Sequence, residues 1–302
     1  MSRANRRGPT RRDVLAAAGA AAGATLLYGC GGGGNAAPPD ADTTDIGPPE
    51  IAAGLWQTMC AYARVSADGS LGTRIHMYNP ASVPSRVVIQ IFRTDGTLVS
   101  KEVVDALPAG HARHLELNEY LGGRGVPLPF EGSLWIGATP ESGSVFMGLQ
   151  GISFDWYGPA HLAAVHGMRD FGNSNHDAVW SDLILPRAVG GDRWFTKVAI
   201  LNSSGDGLAE ALTAVPEMII KDDEGVVLAQ LELDPLPVYT TRLIDLRDLV
   251  GGSFERATVQ IVEPDAGLVA VGFVFDGDND GIVTADHFFD RHFVIDSTGF
   301  TG

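Results

Sequence analysis

The sequence predicts an all-β protein: two tandem antiparallel β-sandwich domains related by an internal repeat, behind a disordered signal and linker. Three observations carry that expectation. One ordered set of motifs occurs twice along the chain at a nearly constant separation. Each copy breaks into short β-branched and aromatic stretches, with turn residues about every 8–12 positions, the spacing of a sandwich rather than of parallel βαβ units. The only helix-sized segments are one or two turns long and stop at glycine pairs.

The chain opens with a segment built for export. Thr10-Arg11-Arg12-Asp13-Val14-Leu15 precedes an Ala/Gly-rich run ending at Leu27-Tyr28-Gly29-Cys30. A basic region, a moderately apolar stretch and a small residue before the cut are the parts of a removable signal. Its apolar run, 14–27, falls short of the roughly 20 residues that span hydrocarbon. The Arg11-Arg12 pair resembles the twin-arginine signal, whose route carries folded proteins. Leu-x-Gly-Cys resembles a lipobox, which implies acylation of Cys30 as the mature N-terminus and a membrane partner held through lipid. Residues 1–29 are thus expected to be signal, and 30–50, rich in Gly, Ala, Pro and Asp, a flexible tether unable to bury an apolar face.

The repeat organises the rest into sandwich domains at 51–170 and 171–302. Residues 56–65 align with 180–189 at an offset of 124, and Thr73 to Asn79 with Thr196 to Asn202 at 123. Gly96 and Gly225, Leu107-Pro108 and Leu236-Pro237, and Gly122-Gly123 and Gly251-Gly252 all keep 129, and Gly143 and Gly148 meet Gly267 and Gly272 at 124. Residues 86–93 read as a strand, Asp95-Gly96 as a hairpin turn and 98–104 as the returning strand. Short helical turns follow at 118–121 and, in the second copy, 246–250. Strands 133–139 and 145–153 are expected to pair around a turn at 140–143. Strands at 216–221, 226–233, 257–263 and 268–275 repeat the plan.

This order of motifs, with Asn after a strand, Asp-Gly in a hairpin, Leu-Pro before an edge strand and a Gly-rich stop, resembles the sandwich domains of the sensory-rhodopsin-transducer kind and related extracellular modules. Such modules often stand in tandem, and the resemblance implies a binding or accessory role without naming a ligand.

Composition narrows the partners. Losing residues 1–29 removes five arginines and one aspartate, leaving 16 basic and 36 acidic residues and a net charge of −20. Nucleic acids and anionic lipid surfaces demand clustered Lys/Arg, so neither is expected. With Cys30 assigned to lipid, Cys60 lacks a disulfide partner, and its apolar surroundings predict a buried, inert thiol.

Few residues carry a chemical signature. In the run from Asp276 to His287, Asp276, Asp278 and Asp280 alternate, with Gly281 at the sixth place, as in the front half of a calcium loop. Ile282 would add a carbonyl and Thr284 a side-chain oxygen, so Ca2+ is the one candidate cofactor. The pattern departs at the twelfth position, where His287 stands for the bidentate acid. His111 and His114, three apart on a strand, point to opposite faces and do not converge; His161 and His166 fail by the same parity. Trp135 is expected inside the sandwich, whereas Trp156 and Tyr157, in an expected turn, are the candidate surface for a glycan or an envelope protein. The sequence contains no Gly-x-Ser-x-Gly elbow, no His-Glu-x-x-His and no phosphate-cradling glycine loop. The expectation is therefore a non-catalytic, lipid-anchored binding or structural module of the cell envelope, in the periplasm or at the cell surface. A secreted hydrolase using carboxylates between residues 170 and 182, and a calcium-dependent adhesion module, stand as alternatives.

Overall fold

The computed structural model describes residues 56–79, 82–140, 152–166, 182–204, 212–263 and 266–290. The first repeat comprises β1 (Trp56–Val65), β2 (Gly72–Tyr78), β3 (Ser85–Arg93), β4 (Leu98–Leu107), β5 (Ala112–Glu116), α1 (Leu117–Gly122), β6 (Phe130–Pro140), β7 (Ile152–Tyr157) and β8 (Leu162–His166). The second comprises β9 (Asp182–Gly190), β10 (Trp194–Asn202), β11 (Glu217–Lys221), β12 (Val227–Glu232), β13 (Thr241–Asp245), α2 (Leu246–Val250), β14 (Phe254–Val262), β15 (Leu268–Asp276) and β16 (Gly281–His287). A short β17 (Phe289–Asp290) follows.

The repetition extends to topology. The first repeat forms two antiparallel sheets in the orders β1-β6-β3-β4 and β5-β2-β7-β8. The second forms β9-β14-β11-β12 and β13-β10-β15-β16, the same order strand for strand, joined where Phe195 of β10 meets Gly190 of β9. In each copy the two sheets share one apolar core, so both are sandwiches. The turn expected at Asp95-Gly96 and both short helices are present, and Gly96 and Gly225 adopt φ of 84° and 81° as the hairpin turns require.

Two details bind the copies in sequence and in space. Thr73 and Thr196 accept the backbone N–H of Arg64 and Val189 at 2.9 and 2.8 Å. The Asn79 amide donates to the carbonyls of Val83 and Leu107, and that of Asn202 to Leu212 and Leu236, each at 2.8 Å. An asparagine after the second strand of each copy therefore ties a loop carbonyl to the leucine of the Leu-Pro step.

The register corrects three expectations. β1 and β9 each carry a bulge at the same place, at Cys60/Ala63 and at the Ala188 end of β9, which sets Cys60 level with Leu185 and Tyr62 level with Arg187, one residue beyond the expected alignment. β6 and β7 do not pair with each other: β6 lies between β1 and β3, and β7 between β2 and β8, so the chain crosses between sheets there. β14 and β15 do likewise. Finally, Trp156 faces Thr73 as Val274 faces Thr196, so the residue level with Gly272 is Phe154; Gly148, its expected match, lies outside the described residues.

The sandwiches are not separate beads. Phe195, Ala199 and Leu201 of β10, Val269, Val271, Phe273 and Phe275 of β15, and Ile282 of β16 belong to the core of the first repeat. The alternate residues Val198, Ile200, Leu268 and Ala270 fill the core of the second. β10 and β15 are thus buried on both faces, which is why Leu268 to Phe275 reads as a continuous apolar run. The first repeat answers with β1, buried from Met59 through Ala63.

Candidate functional site

The two copies differ sharply in the side chains that fill one end of the sandwich. In the first repeat Tyr62, Phe154 and Trp156 are fully buried between the sheets. Their counterparts in the second are Arg187, Gly272 and Val274. Leu185 in place of Cys60 recovers part of the lost volume, and a Cβ on Gly272 would collide with the end of the Leu185 side chain. The rest remains open as a groove of about 420 Å³ between β9 on one side and β10, β15 and β16 on the other. Leu185, Val189, Val274 and Val283 make it apolar, and Thr196, Thr284, Arg187 and Asp286 add polar groups. Trp194, 39% exposed, walls one side, with the Arg193 guanidinium 4.7 Å from its ring centre. An apolar cleft of a few hundred Å³ with a few polar groups is the usual form of a small-ligand site.

A second contrast lies on the outer face of the β5-β2-β7-β8 sheet. Two cross-strand rows run there, Glu116–Arg74–Asp155 and His114–His76–Ser153. His76 Nε2 lies 2.5 Å from Asp155 Oδ2, and His76 Nδ1 lies 2.6 Å from His114 Nδ1. Arg74 pairs with Glu116, reaches Asp155 at 4.0 Å and lies over the Tyr157 ring at 5.4 Å. In the second repeat the corresponding rows read Asp245–Lys197–Phe273 and Leu243–Ala199–Val271, and this apolar face packs on the first sandwich. The spacing of His114 from His111 along one strand does not reveal this pairing, because the neighbour of His114 is His76 across the sheet. Aligning the strand at 73–79 against 112–116 is the signal that finds it.

The remaining expected residues fall as follows. Arg11, Arg12, Cys30 and the stretch 167–181 lie outside the described residues. Trp156 is 1% exposed in the middle of β7, not in a turn; its indole N–H donates to the Tyr62 carbonyl at 2.9 Å and its ring meets Phe273 edge-on. It is core, because strand alternation turns it inward with Phe154. Tyr157 is partly buried under Arg74, and burial followed by the nearby Glu116 raises its pKa. Trp135 is buried as expected, and Cys60 is wholly buried, with its thiol pKa pushed up by desolvation.

The acidic run at 276–284 is a β-hairpin turn, and its carboxylates face protein cations. Asp276, 2% exposed, takes His161 Nε2 at 3.1 Å and Arg193 Nε at 3.5 Å; Asp278 takes Arg193 at 3.2 Å. Asp280 accepts Arg64 Nη1 at 3.1 Å on its carboxylate and Nη2 at 2.6 Å on its carbonyl. Ile282 pairs with Phe275 inside the core, and Thr284, opposite Val274, lines the groove. Asp276 and Asp280 thereby tie the second sandwich to His161 and Arg64 of the first, while Asp278 pairs with Arg193 of its own repeat. Among the described residues no three His, Cys, Asp or Glu side chains gather as metal ligands. No described helix is long and apolar enough to cross a membrane.

No known protein family and no curated protein matches this sequence. Similar solved structures include a glycosyl hydrolase family 2 member from Bacteroides cellulosilyticus DSM 14838, at 12% identity and TM-score 0.18 over 78% of this chain and 28% of that one. They include an FMN-binding β-glucuronidase from Facaelibacterium prausnitzii L2-6, at 8% identity and TM-score 0.18 over 77% and 31%. A β-glucuronidase from glycoside hydrolase family 2 gives 10% identity and TM-score 0.19 over 78% and 23%. The chain spans under a third of each of these proteins, and likeness at such TM-scores carries no argument about activity or substrate.

Proposed function

We propose that this chain is an exported, lipid-anchored binding module of the cell envelope that holds a short glycan in the groove of its second sandwich. Export rests on the Arg11-Arg12 segment and anchoring on Cys30. The observation that carries the binding role is the loss of three buried rings at matched positions, which leaves the groove in one copy of a duplicated fold. The first repeat fills the matched space with buried rings, so a copy that leaves it open to solvent forgoes that apolar burial, which points to a use. The chemistry of the groove suits a sugar: Trp194 and the aliphatic floor meet C–H faces, while Arg187, Asp286, Thr196 and Thr284 meet hydroxyls. Its action is binding rather than catalysis.

The experiment is calorimetric titration of the mature chain with a panel of envelope glycan fragments. Val274→Trp restores the ring that the first repeat carries at the matched position, and it is expected to close the groove and lower affinity at least tenfold. Arg187→Ala and Asp286→Ala, both exposed, should weaken binding about three- to tenfold without changing the melting temperature. A panel that gives no binding at millimolar concentration, or binding indifferent to all three substitutions, overturns the reading.

A further inference from the structure

We propose that His76 and His114 form a cross-strand site for a divalent transition-metal ion of the Zn(II) or Cu(II) class, oriented by Asp155. The site lies on the first repeat, away from the groove, and stands independently of the glycan reading.

The geometry carries the argument. The two imidazoles sit directly opposite each other on β2 and β5, with their Nδ1 atoms 2.6 Å apart. Asp155 Oδ2 stands 2.5 Å from the other nitrogen of His76. An ionised carboxylate only accepts, so it holds the His76 proton on Nε2 and leaves the Nδ1 lone pair aimed at His114. The His114 Nδ1 facing that lone pair either donates a hydrogen bond to it or joins it in holding a metal. A metal bound at about 2.0–2.1 Å to each nitrogen sets them roughly 3.0–3.4 Å apart, so the rings must open by about 0.5 Å. His114 is exposed and free to make that turn. Carboxylate, imidazole and metal in line is the arrangement by which proteins fix a ligating histidine and raise its basicity. Glu116 is engaged by Arg74, so the other coordination positions would fall to water or to a group from a bound partner.

Nothing in the scaffold demands this pair. The matched positions in the second repeat are Ala199 and Leu243, which satisfy the same strands with apolar side chains. Two histidines in contact are also a liability to folding alone, because protonating both places like charges side by side. The acidic balance of the chain, −16 overall, raises the local concentration of divalent cations.

The test is titration of the full chain at pH 7.5 with Zn(II) by calorimetry and with Cu(II) by electron paramagnetic resonance. One ion per chain with micromolar affinity, and hyperfine structure from two nitrogen ligands, is expected. His76→Ala/His114→Leu, which copies the second repeat, should abolish that site while circular dichroism and melting stay native. Asp155→Asn should weaken binding by about tenfold, and His111→Ala should leave it unchanged. Binding that survives the double substitution places the metal elsewhere and overturns the proposal. Absence of saturable binding below about 1 mM overturns it as well, leaving a proton-bridged pair only.

Discussion

At the residue scale, the two asparagines show how one side chain can specify a loop. Asn79 and Asn202 are fully buried, and each amide donates to two carbonyls, one in the loop that follows it and one from the Leu-Pro step farther along the chain. Truncation removes a donor from each carbonyl; Leu236 keeps the Ala214 N–H, so at Asn202 the loss falls mainly on the Leu212 carbonyl, at about 1–3 kcal/mol. Asn202→Ala should therefore lower unfolding stability by about 2 kcal/mol in a urea titration, and Asn202→Asp should fare no better, since a carboxylate cannot donate. An effect under 1 kcal/mol would show that water replaces the amide. Tyr239 is the converse case, a residue held against its preference. Its φ of 66° is left-handed, and the matched residue in the first repeat is Gly110 at 69°. The conformation costs a tyrosine about 1 kcal/mol, and the compensation is contact with the other sandwich: its ring stacks on Phe92 at 5.1 Å and meets Trp135 edge-on at 5.1 Å. Tyr239→Gly and Tyr239→Ala both lose the rings' contact, but only Gly relieves the backbone. The Gly variant should melt higher than the Ala variant, by an amount near 1 kcal/mol. The asparagines were legible as repeated letters after a strand; Tyr239 was not, because only the register reveals that it stands where its twin is glycine.

At the scale of elements, β-content and most strand positions were legible because β-branched runs and Gly-marked turns are local signals. Pairing was not. β6 and β7 are neighbours in sequence, as are β14 and β15, and a tight hairpin is the default reading for adjacent strands; here each pair is split between the two sheets of a sandwich. The groove was invisible for a related reason. It is made of side chains that are missing, and a missing ring at Gly272 means something only beside Phe154. The acidic hairpin between β15 and β16 shows the same limit: alternate aspartates suit a cation by spacing, and only the fold shows Asp276 and Asp280 facing His161, Arg193 and Arg64. The helices give a cleaner test of local rules. α1 starts at Glu116 without a side-chain cap, whereas α2 starts at Asp245, whose carboxylate accepts the Arg247 N–H at 3.1 Å and the Arg247 guanidinium at 2.7 Å. Burial works to raise the Asp245 pKa, but the bonds from Arg247 outweigh it and hold the carboxyl below its ordinary value. Asp245→Ala should cost about 1 kcal/mol, the usual worth of an N-cap, and Asp245→Asn should recover most of it. Equal loss in both variants would assign the effect to the charge pair instead of the cap.

At the scale of the whole molecule, the second sandwich uses one of its sheets twice, once for its own core and once for its neighbour's. Pulling the copies apart would expose Phe195, Phe273, Phe275 and Val271 together, at about 2 kcal/mol for each large side chain. The chain should therefore unfold in one calorimetric transition, and two resolved peaks would show that the copies are independent. The polar part of that junction makes the transition sensitive to acid. Asp276 sits between His161 of the first repeat and Arg193 of the second. Burial pushes its pKa up, yet the Asp278 backbone N–H, His161 and Arg193 together prevail and hold it below the ordinary carboxylate value. The native state thus binds this proton less readily than the unfolded chain, and the sign follows. Its contribution is fully present above about pH 4, the unfolded carboxylate value, and is lost as pH falls through the lower folded value. Relief of the net negative charge on acidification works the other way, favouring the compact state. Comparison with Asp276→Asn separates the two, because the substitution removes the junction carboxylate and barely changes the total charge. Urea midpoints measured from pH 7 to pH 3 should fall more steeply in the native sequence than in Asp276→Asn, which starts lower and converges with it under acid. Parallel profiles across that range would mean that the His161–Asp276–Arg193 contact does not hold the sandwiches together in solution.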